Sequence, residues 1–197
     1  MLKKNNEILK IYKKEGALQE GHFILSSGKH SSVYLQSAIV LSIPKYLNKI
    51  ALEMVLNIRK MIDIDKVNLV VSPAMGGVII GSKIGEILNK KSIFLERVNS
   101  KFTLRRGFKI KKNSKVLIVE DVITTGKSSM ECAKLIKKAT ASLIGFATII
   151  DRSTKKTLKI KKKIISHLRI DVPTFKANQL PKGLKLIPIT KPGSRFI

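Results

Sequence analysis

The sequence predicts an α/β fold with a central, mostly parallel sheet flanked by helices. Short apolar runs alternate with segments whose apolar residues recur at spacings of three and four. The runs are continuous rather than alternating, as in strands covered on both faces. Charged residues and glycines gather just beyond the runs, at the edge where open parallel sheets bind ligands. With 197 residues, 44% of them apolar, the chain can bury a substantial core.

The elements follow in order. Leu2–Tyr12 carries apolar residues at Leu2, Ile8, Leu9, Ile11 and Tyr12, a short amphipathic helix. GHFILSSGKHSSVYLQ (Gly21–Gln36) reads as two strands, FIL and VYL, around a Ser/Gly turn. Pro44 opens a helix whose predicted core face is Leu47, Ile50, Ala51, Met54, Val55, Ile58 and Met61. Asn68–Ser72 is a buried-strand pattern ending at Pro73, and the glycines of AMGGVIIGSKIGEIL lead into the next helix. Ser92–Glu96 is the next strand, and Arg97–Asn113 a polar, basic loop or ribbon. VLIVEDVITTGKSS (Val116–Ser129) supplies a strand, then a helix from Ser128 with Glu131 at capping-box spacing. Ala141–Ile150 is a further strand, and the last 45 residues are basic with short β-like runs. Repeats and long linkers are missing from the sequence, so one domain is expected.

Composition narrows the function. There are 39 Lys+Arg against 13 Asp+Glu, a formal charge of +26, which attracts polyanions and phosphorylated small molecules. The lysines are spread from Lys3 to Lys191, densest over Lys155–Lys163, and only 5% of residues are aromatic. Without a helix-turn-helix, zinc-finger or RRM signature, a general surface lysine bias explains the charge, and no nucleic-acid partner is expected. No apolar run approaches the roughly 18–20 residues of a membrane span. MLKKNNEILK lacks the apolar stretch of a secretory signal. One cysteine excludes an intrachain disulfide, and a cytoplasmic setting is expected.

The GKS of Val116–Ser129 invites a Walker A reading, but the first glycine of GxxxxGK[ST] would fall on Asp121. A carboxylate there disfavours both the backbone bend and the approaching phosphate. What remains is an anion cradle: Thr124, Thr125, Gly126, Lys127, Ser128 and Ser129 lie at a helix N-terminus, where N–H groups and the dipole favour one phosphate. Its bland alternative is a well-capped helix. Glu120 and Asp121 shift that balance, because acids at a sheet edge cost desolvation unless they bind something. One strand puts them on opposite faces, so both reach a single ligand only where the strand ends. Ribose hydroxyls and a divalent metal are natural partners, and with the cradle they describe a ribose 5-phosphate site.

VLIVEDVITTGKS resembles the 13-residue phosphoribosyl-diphosphate (PRPP) signature of the type I phosphoribosyltransferases. The resemblance implies that fold, with a small hood from about 1–40 and 165–197 around a core of about 44–160. It implies PRPP binding by Glu120, Asp121, Val122, Ile123, Thr124, Thr125, Gly126, Lys127 and Ser128, the acids on the ribose hydroxyls and Thr124–Ser128 on the 5-phosphate. Mg²⁺ is the implied cofactor, bound mainly through PRPP and without direct protein ligation.

The acceptor base is indicated by two other segments. Gly21–Gln36 is similar to the N-terminal segment of orotate phosphoribosyltransferases, F-x-L-x-S-G-x-x-S-x-x-Y. On that likeness Ser27, Gly28, Thr124 and Arg152 bind orotate, Arg152 pairing with its carboxylate as a guanidinium fork can. The terminal KPGSR is similar to endings in a bacterial subgroup. The implied reaction is PRPP plus orotate giving orotidine 5′-phosphate and pyrophosphate, in de novo pyrimidine (UMP) biosynthesis.

Arg97–Lys109 resembles the family's mobile catalytic loop, which closes over the partner's site in a homodimer. The resemblance makes Lys101, Arg97 and Asp121 the catalytic groups, Arg97 and Lys101 also contacting PRPP, with Arg105 and Arg106 as further candidates. Departures from the family pattern are Ser26, Gly76, Val98 and Thr103, where lysine, a basic residue, lysine and histidine are common. Ser72–Gly77 would present backbone N–H groups to the diphosphate. His22, His30 and His167 lack metal-ligand spacing, although His30 lies near the orotate turn; Cys132 reads as a core residue. Two alternatives stay open: transfer to another base, and a PRPP-sensing, nucleic-acid-binding regulator on the same fold.

Overall fold

The computed structural model describes residues 7–25, 28–154 and 158–192, and the chain divides into two units, 1–40 with 171–197 and 41–170. In the larger unit the alternating runs become α3 (Pro44–Met61), β3 (Leu69–Pro73), α4 (Gly76–Ile87), β4 (Lys91–Val98), β5 (Lys101–Thr103), β6 (Lys115–Ile123), α5 (Lys127–Lys138), β7 (Ser142–Asp151) and β8 (Ile164–Arg169). They follow α1 (Glu7–Lys14), β1 (Leu18–Ile24), β2 (His30–Leu35) and the short α2 (Ser37–Leu41), and precede β9 (Thr174–Phe175), α6 (Lys182–Lys185) and β10 (Ile189–Thr190).

The large sheet has the order β5-β4-β3-β6-β7-β8. All its pairs are parallel except the β4–β5 hairpin at the edge. Its central strands need no polar face because helices cover both sides. Leu69, Val71, Ile93, Leu95, Val116, Ile118 and Phe146 pack with Cys132 and Ile136 of α5 in one core cluster. Helices α3 and α4 pack on each other, α4 also against β3, β4 and β6, and α3 against β7 and β8. Gly77, Gly81 and Gly85, spaced by one turn of α4, let that helix settle onto the sheet. A Cβ would meet the Val119 carbonyl oxygen at 2.8 Å from Gly77 and the Ser92 Cβ at 2.7 Å from Gly85, and would overlap the Ser72 hydroxyl from Gly81.

The smaller unit holds a second sheet, β10-β1-β2-β9. Ile8, Leu9, Ile11 and Tyr12 of α1 are buried, and the Tyr12 hydroxyl donates to Ser37 Oγ at 3.0 Å. Two buried histidines brace the β1–β2 hairpin: His22 Nε2 and His30 Nδ1 are 2.6 Å apart, and His22 Nδ1 lies 3.2 Å from the Ile187 carbonyl.

Several expectations shift. Strand β8 pairs with β7 and stays with the larger unit, which ends at residue 170. The first strand begins at Leu18, before the apolar FIL, and α2 was not foreseen. Leu47 is only half-buried and Met61 is exposed, because the core face of α3 narrows at both ends to Ile50, Ala51, Met54, Val55 and Ile58. Helix α5 starts at Lys127, with Gly126 and not Ser128 as its N-cap.

Candidate active site

Chain order reverses beside β3: α4 leads outward to β4, whereas β6 lies on the other side of β3. Such a switch point opens a crevice at the carboxyl ends of the strands, and here the two loops flanking it meet. Asp121 of β6 lies against Gly76 at the start of α4, so closely that a Cβ on Gly76 would sit 2.5 Å from one carboxylate oxygen and 2.6 Å from the other. Glu120 points to the opposite side, is buried, and accepts a hydrogen bond from the Ser129 hydroxyl of α5. The strand continues past both acids to Ile123, pairing Val122 with Ile150 and Ile123 with Asp151. Buried Thr148 holds this end, its hydroxyl donating to the Asp121 carbonyl at 3.0 Å.

Beyond Ile123 the chain turns sharply into α5. Gly126 has φ +70, and a Cβ there would lie 2.8 Å from Ile160 side-chain atoms, so backbone and packing both require glycine. The Thr125 hydroxyl accepts from the Lys127 N–H at 3.3 Å, and the Thr125 carbonyl accepts from the Lys159 N–H at 3.0 Å. The first turn of α5 carries no acid, so its N-terminal dipole stays open to an anion.

The β4–β5 hairpin stands beside this turn. Its Asn99-Ser100 tip has positive φ at both residues, 47° and 63°, the geometry of a two-residue type I′ connection. Arg97 pairs across it with Phe102 and lays its guanidinium over that ring, 3.9 Å from the centroid. Arg97 Nη2 contacts Glu131 Oε2 at 2.9 Å and Ser128 Oγ at 3.4 Å, both on α5. Lys101 is exposed at the start of β5. Arg106 makes a two-pronged pair with Glu96, at 2.8 and 3.2 Å. That hydrogen bond holds the Glu96 carboxyl below its ordinary range.

At the end of β7, Arg152 is buried, and its backbone N–H donates to the Ile123 carbonyl at 2.8 Å. Thr124 and Arg152 therefore leave the sheet at one place. Burial lowers the Arg152 pKa to about 10, so the cation persists at neutral pH while its desolvation favours an anionic partner. Asp151 serves the turn instead, accepting from the Ser153 N–H at 2.8 Å.

A family model described as a phosphoribosyl transferase domain matches residues 40–181. The chain is 41% identical over 191 residues to an orotate phosphoribosyltransferase of Erythrobacter litoralis, covering 97% of this chain and 98% of that one. The chain belongs to the orotate phosphoribosyltransferase family. Among solved structures, an orotate phosphoribosyltransferase from Aeropyrum pernix matches with a TM-score of 0.63 at 22% identity, over 81% of this chain and 92% of that one. Leishmania donovani UMP synthase matches with a TM-score of 0.70 at 18% identity, over 83% of this chain but only 36% of that longer one. These two likenesses concern the fold, which is the type I phosphoribosyltransferase fold the PRPP signature implied.

Within this orotate phosphoribosyltransferase scaffold the expected residues do not all gather. Asp121, the Thr124–Ser128 turn, Ser128 with Arg97, and Thr124 with Arg152 come together. The Ile123 side chain is a core residue, and only its carbonyl faces Arg152. Val122 is half-buried within the strand. Within 97–109, residues 97–103 form the end of a paired hairpin with Phe102 buried, and Phe108 further on packs edge-on to Phe94 at 5.2 Å. The capping box is not made: Ser128 and Glu131 both turn to Arg97. Ser27 and Ser26 lie outside the described residues. Gly28 has φ +76, and its N–H already donates to the Leu25 carbonyl at 2.8 Å, so that donor belongs to the turn. The partner roles of Thr148 and Glu131 are not legible in the sequence, since each is defined by a neighbour distant along the chain, and that of Ser129 rests on how α5 folds back on β6.

Proposed function

We propose that the turn after β6 and Asp121 before it bind PRPP for transfer of its phosphoribosyl group to orotate, the activity of the family to which the chain belongs. The single observation that carries this reading is the Asp121 carboxylate lying at the switch-point crevice just ahead of the glycine-started α5. In this reading the backbone of 124–128 and the hydroxyls of Thr124, Thr125 and Ser128 take the 5-phosphate. Asp121 holds the ribose hydroxyls, Glu120 braces the turn from the other side of β6 through Ser129, Lys101 and Arg97 supply positive charge to PRPP phosphates, and Ser72–Gly77 lines the diphosphate. Arg152 takes the orotate carboxylate and Thr124 lies beside it; in the smaller unit Gly28 shapes the turn that the resemblance links to orotate.

Transfer breaks the bond from ribose C1 to the diphosphate oxygen, which leaves with the electron pair, and forms a bond from C1 to an orotate nitrogen, whose proton is released to water or to the departing pyrophosphate. The chain's task is positioning and charge stabilisation around an oxocarbenium-like ribose. Among the described residues no group of three or more His, Cys, Asp or Glu side chains stands together as a metal site. One half-buried carboxylate at the ribose end nevertheless suits Mg²⁺ held largely by substrate oxygens. When bound, Mg²⁺ would offset charge on the departing pyrophosphate.

A homodimer fits Leu52 and Leu56, exposed one turn apart on α3, with the exposed hairpin reaching the neighbouring subunit. No described helix is long and apolar enough to cross a membrane. Offering orotate, uracil, hypoxanthine and adenine separately with PRPP and Mg²⁺ tests the acceptor. Turnover of orotate alone is expected, and Arg152→Lys should raise the orotate KM while PRPP binding stays unchanged. Equal turnover of uracil would remove the role given to Arg152.

A further inference from the structure

The proposed chemistry makes no use of the two histidines buried in the smaller unit, His22 at 2% and His30 at 5% exposure. They stand at an irregularity of β1: between the pairs Glu20–Val33 and Phe23–Ser31, two residues of β1, Gly21 and His22, face one of β2. A bulge of this kind leaves the ladder incomplete and re-aims a side chain. Here the rings bridge it. His22 Nε2 lies 2.6 Å from His30 Nδ1, and His22 Nδ1 lies 3.2 Å from the Ile187 carbonyl. A carbonyl only accepts, so His22 Nδ1 carries a proton. In the neutral pair His22 Nε2 is therefore the acceptor and His30 Nδ1 the donor. One added proton still leaves a donor facing an acceptor. Two set N–H against N–H across 2.6 Å, and the contact must open.

The pair joins several segments of this unit. His22 stands beside Ile189 of β10 and His30 beside Phe175 of β9. His30 also pairs with Ile24, at the base of the turn in which the Leu25 N–H donates to the Lys29 carbonyl at 2.8 Å. Charged groups on the surrounding elements leave the rings alone. Among the described residues, Glu20 on β1, Lys29 before β2, Asp171 and Lys176 around β9, Lys182 and Lys185 on α6, and Lys191 after β10 form no hydrogen bond or ion pair with either histidine. Helix α1 turns its apolar face inward and keeps Glu7, Lys10, Lys13 and Lys14 exposed.

We propose that His22 and His30 are positioning residues for orotate: through one shared N–H···N bond they lock the 25–29 turn to the 187–190 segment, and a second added proton releases it. The inference rests on the reading that gives this turn to orotate. Proton counting sets the sign. The closed pair holds at most one added proton and the open pair holds two, so acid favours release.

Orotidine 5′-phosphate and ribose 5-phosphate carry the same phosphate, whose own titration near about pH 6 cancels in the ratio of their affinities. Measured by calorimetry, that ratio reports the orotate end alone. In the wild type, orotidine 5′-phosphate should bind more tightly at about pH 7.5, and the ratio should fall several-fold by about pH 5.5. Long-range nitrogen–proton NMR at about pH 8 should show both rings as Nδ1–H tautomers, with a coupling across the N–H···N bond that disappears in step with the ratio. His30→Leu removes the donor and should lower the ratio about tenfold at every pH, leaving ribose 5-phosphate affinity unchanged. His30→Asn keeps an N–H near the place of Nδ1 but takes up no proton. Its ratio should stay near the wild-type value at neutral pH and become flat in acid.

A wild-type ratio independent of pH, Nε2–H tautomers, or a wild-type ratio in folded His30→Leu overturns the proposal. If the wild type binds the two ligands equally, the assignment of the turn to orotate has failed, and the proposal with it. If the wild type separates them and the variants match it, only the role of the histidines has failed. Melting curves show whether His30→Leu folds; should it not, the wild-type pH series and His30→Asn decide.

Discussion

At the scale of single residues, Gly126 bears the sharpest constraint, because two independent terms act on one Cα. Its φ of +70 strains any L side chain, and Ile160 fills the space a Cβ would take. Gly126→Ala should lose about 1–3 kcal/mol of stability and raise the PRPP KM, as read by urea melts and initial rates. Adding Ile160→Ala should return the steric part of the lost KM but not the backbone part; complete recovery would show that φ carries no cost. Cys132 gives a second test. Burial first, then Glu120 and Glu131, push its thiol above the ordinary range, so the thiolate is scarce even in mildly alkaline solution. A thiol reagent at pH 8 should leave the folded protein unlabelled and label one thiol per chain in urea; rapid native labelling would contradict the burial.

At the scale of elements, the close approach of α4 to the sheet rests on its glycine ridge. Ser72 Oγ is buried without a hydrogen-bond partner among the described residues, and a Cβ on Gly81 would fall on it. Gly81→Ala should destabilise by about 1–3 kcal/mol, and Ser72→Ala in the same chain should recover most of that, since it removes the obstructing hydroxyl; thermal melts of the two single variants and the double variant measure this. The main strands and helices of the large sheet were legible because continuous apolar runs and three-four spacing reflect burial directly. The hairpin was harder to read: Arg97 and Val98 look like loop residues, and only pairing with Phe102 and Lys101 makes them strand. Helix α5 misled for a similar reason. Ser128 and Glu131 have capping-box spacing, but the salt bridge to Arg97, 34 residues earlier in the chain, takes Glu131 instead. Within the site, the acids and the turn could be read from VLIVEDVITTGKSS. That Asp121 would lie against Gly76 depends on which loops the sheet order brings together, and that Glu120 would lie under Ser129 depends on how α5 folds back on β6.

At the scale of the whole molecule, the net charge of +26 is spread over the sequence rather than gathered in one element. Binding to duplex DNA should therefore be weak, sequence-independent and steeply salt-dependent. A titration near 150 mM salt checks this, and tight sequence-selective binding would instead support the regulator reading. The fold brings β3 and β6 side by side at the switch point, and the proposed transfer chemistry hangs on the acidic end of β6 at that edge. The most direct measurement is orotidine 5′-phosphate formation from PRPP, Mg²⁺ and orotate by the wild-type chain and by Glu120→Gln/Asp121→Asn, with melting curves confirming the fold of both. The account predicts turnover by the wild type and a loss of at least about a hundredfold in the double variant, the scale of removing charge stabilisation from a transition state. Wild-type-like turnover by a folded double variant would contradict it.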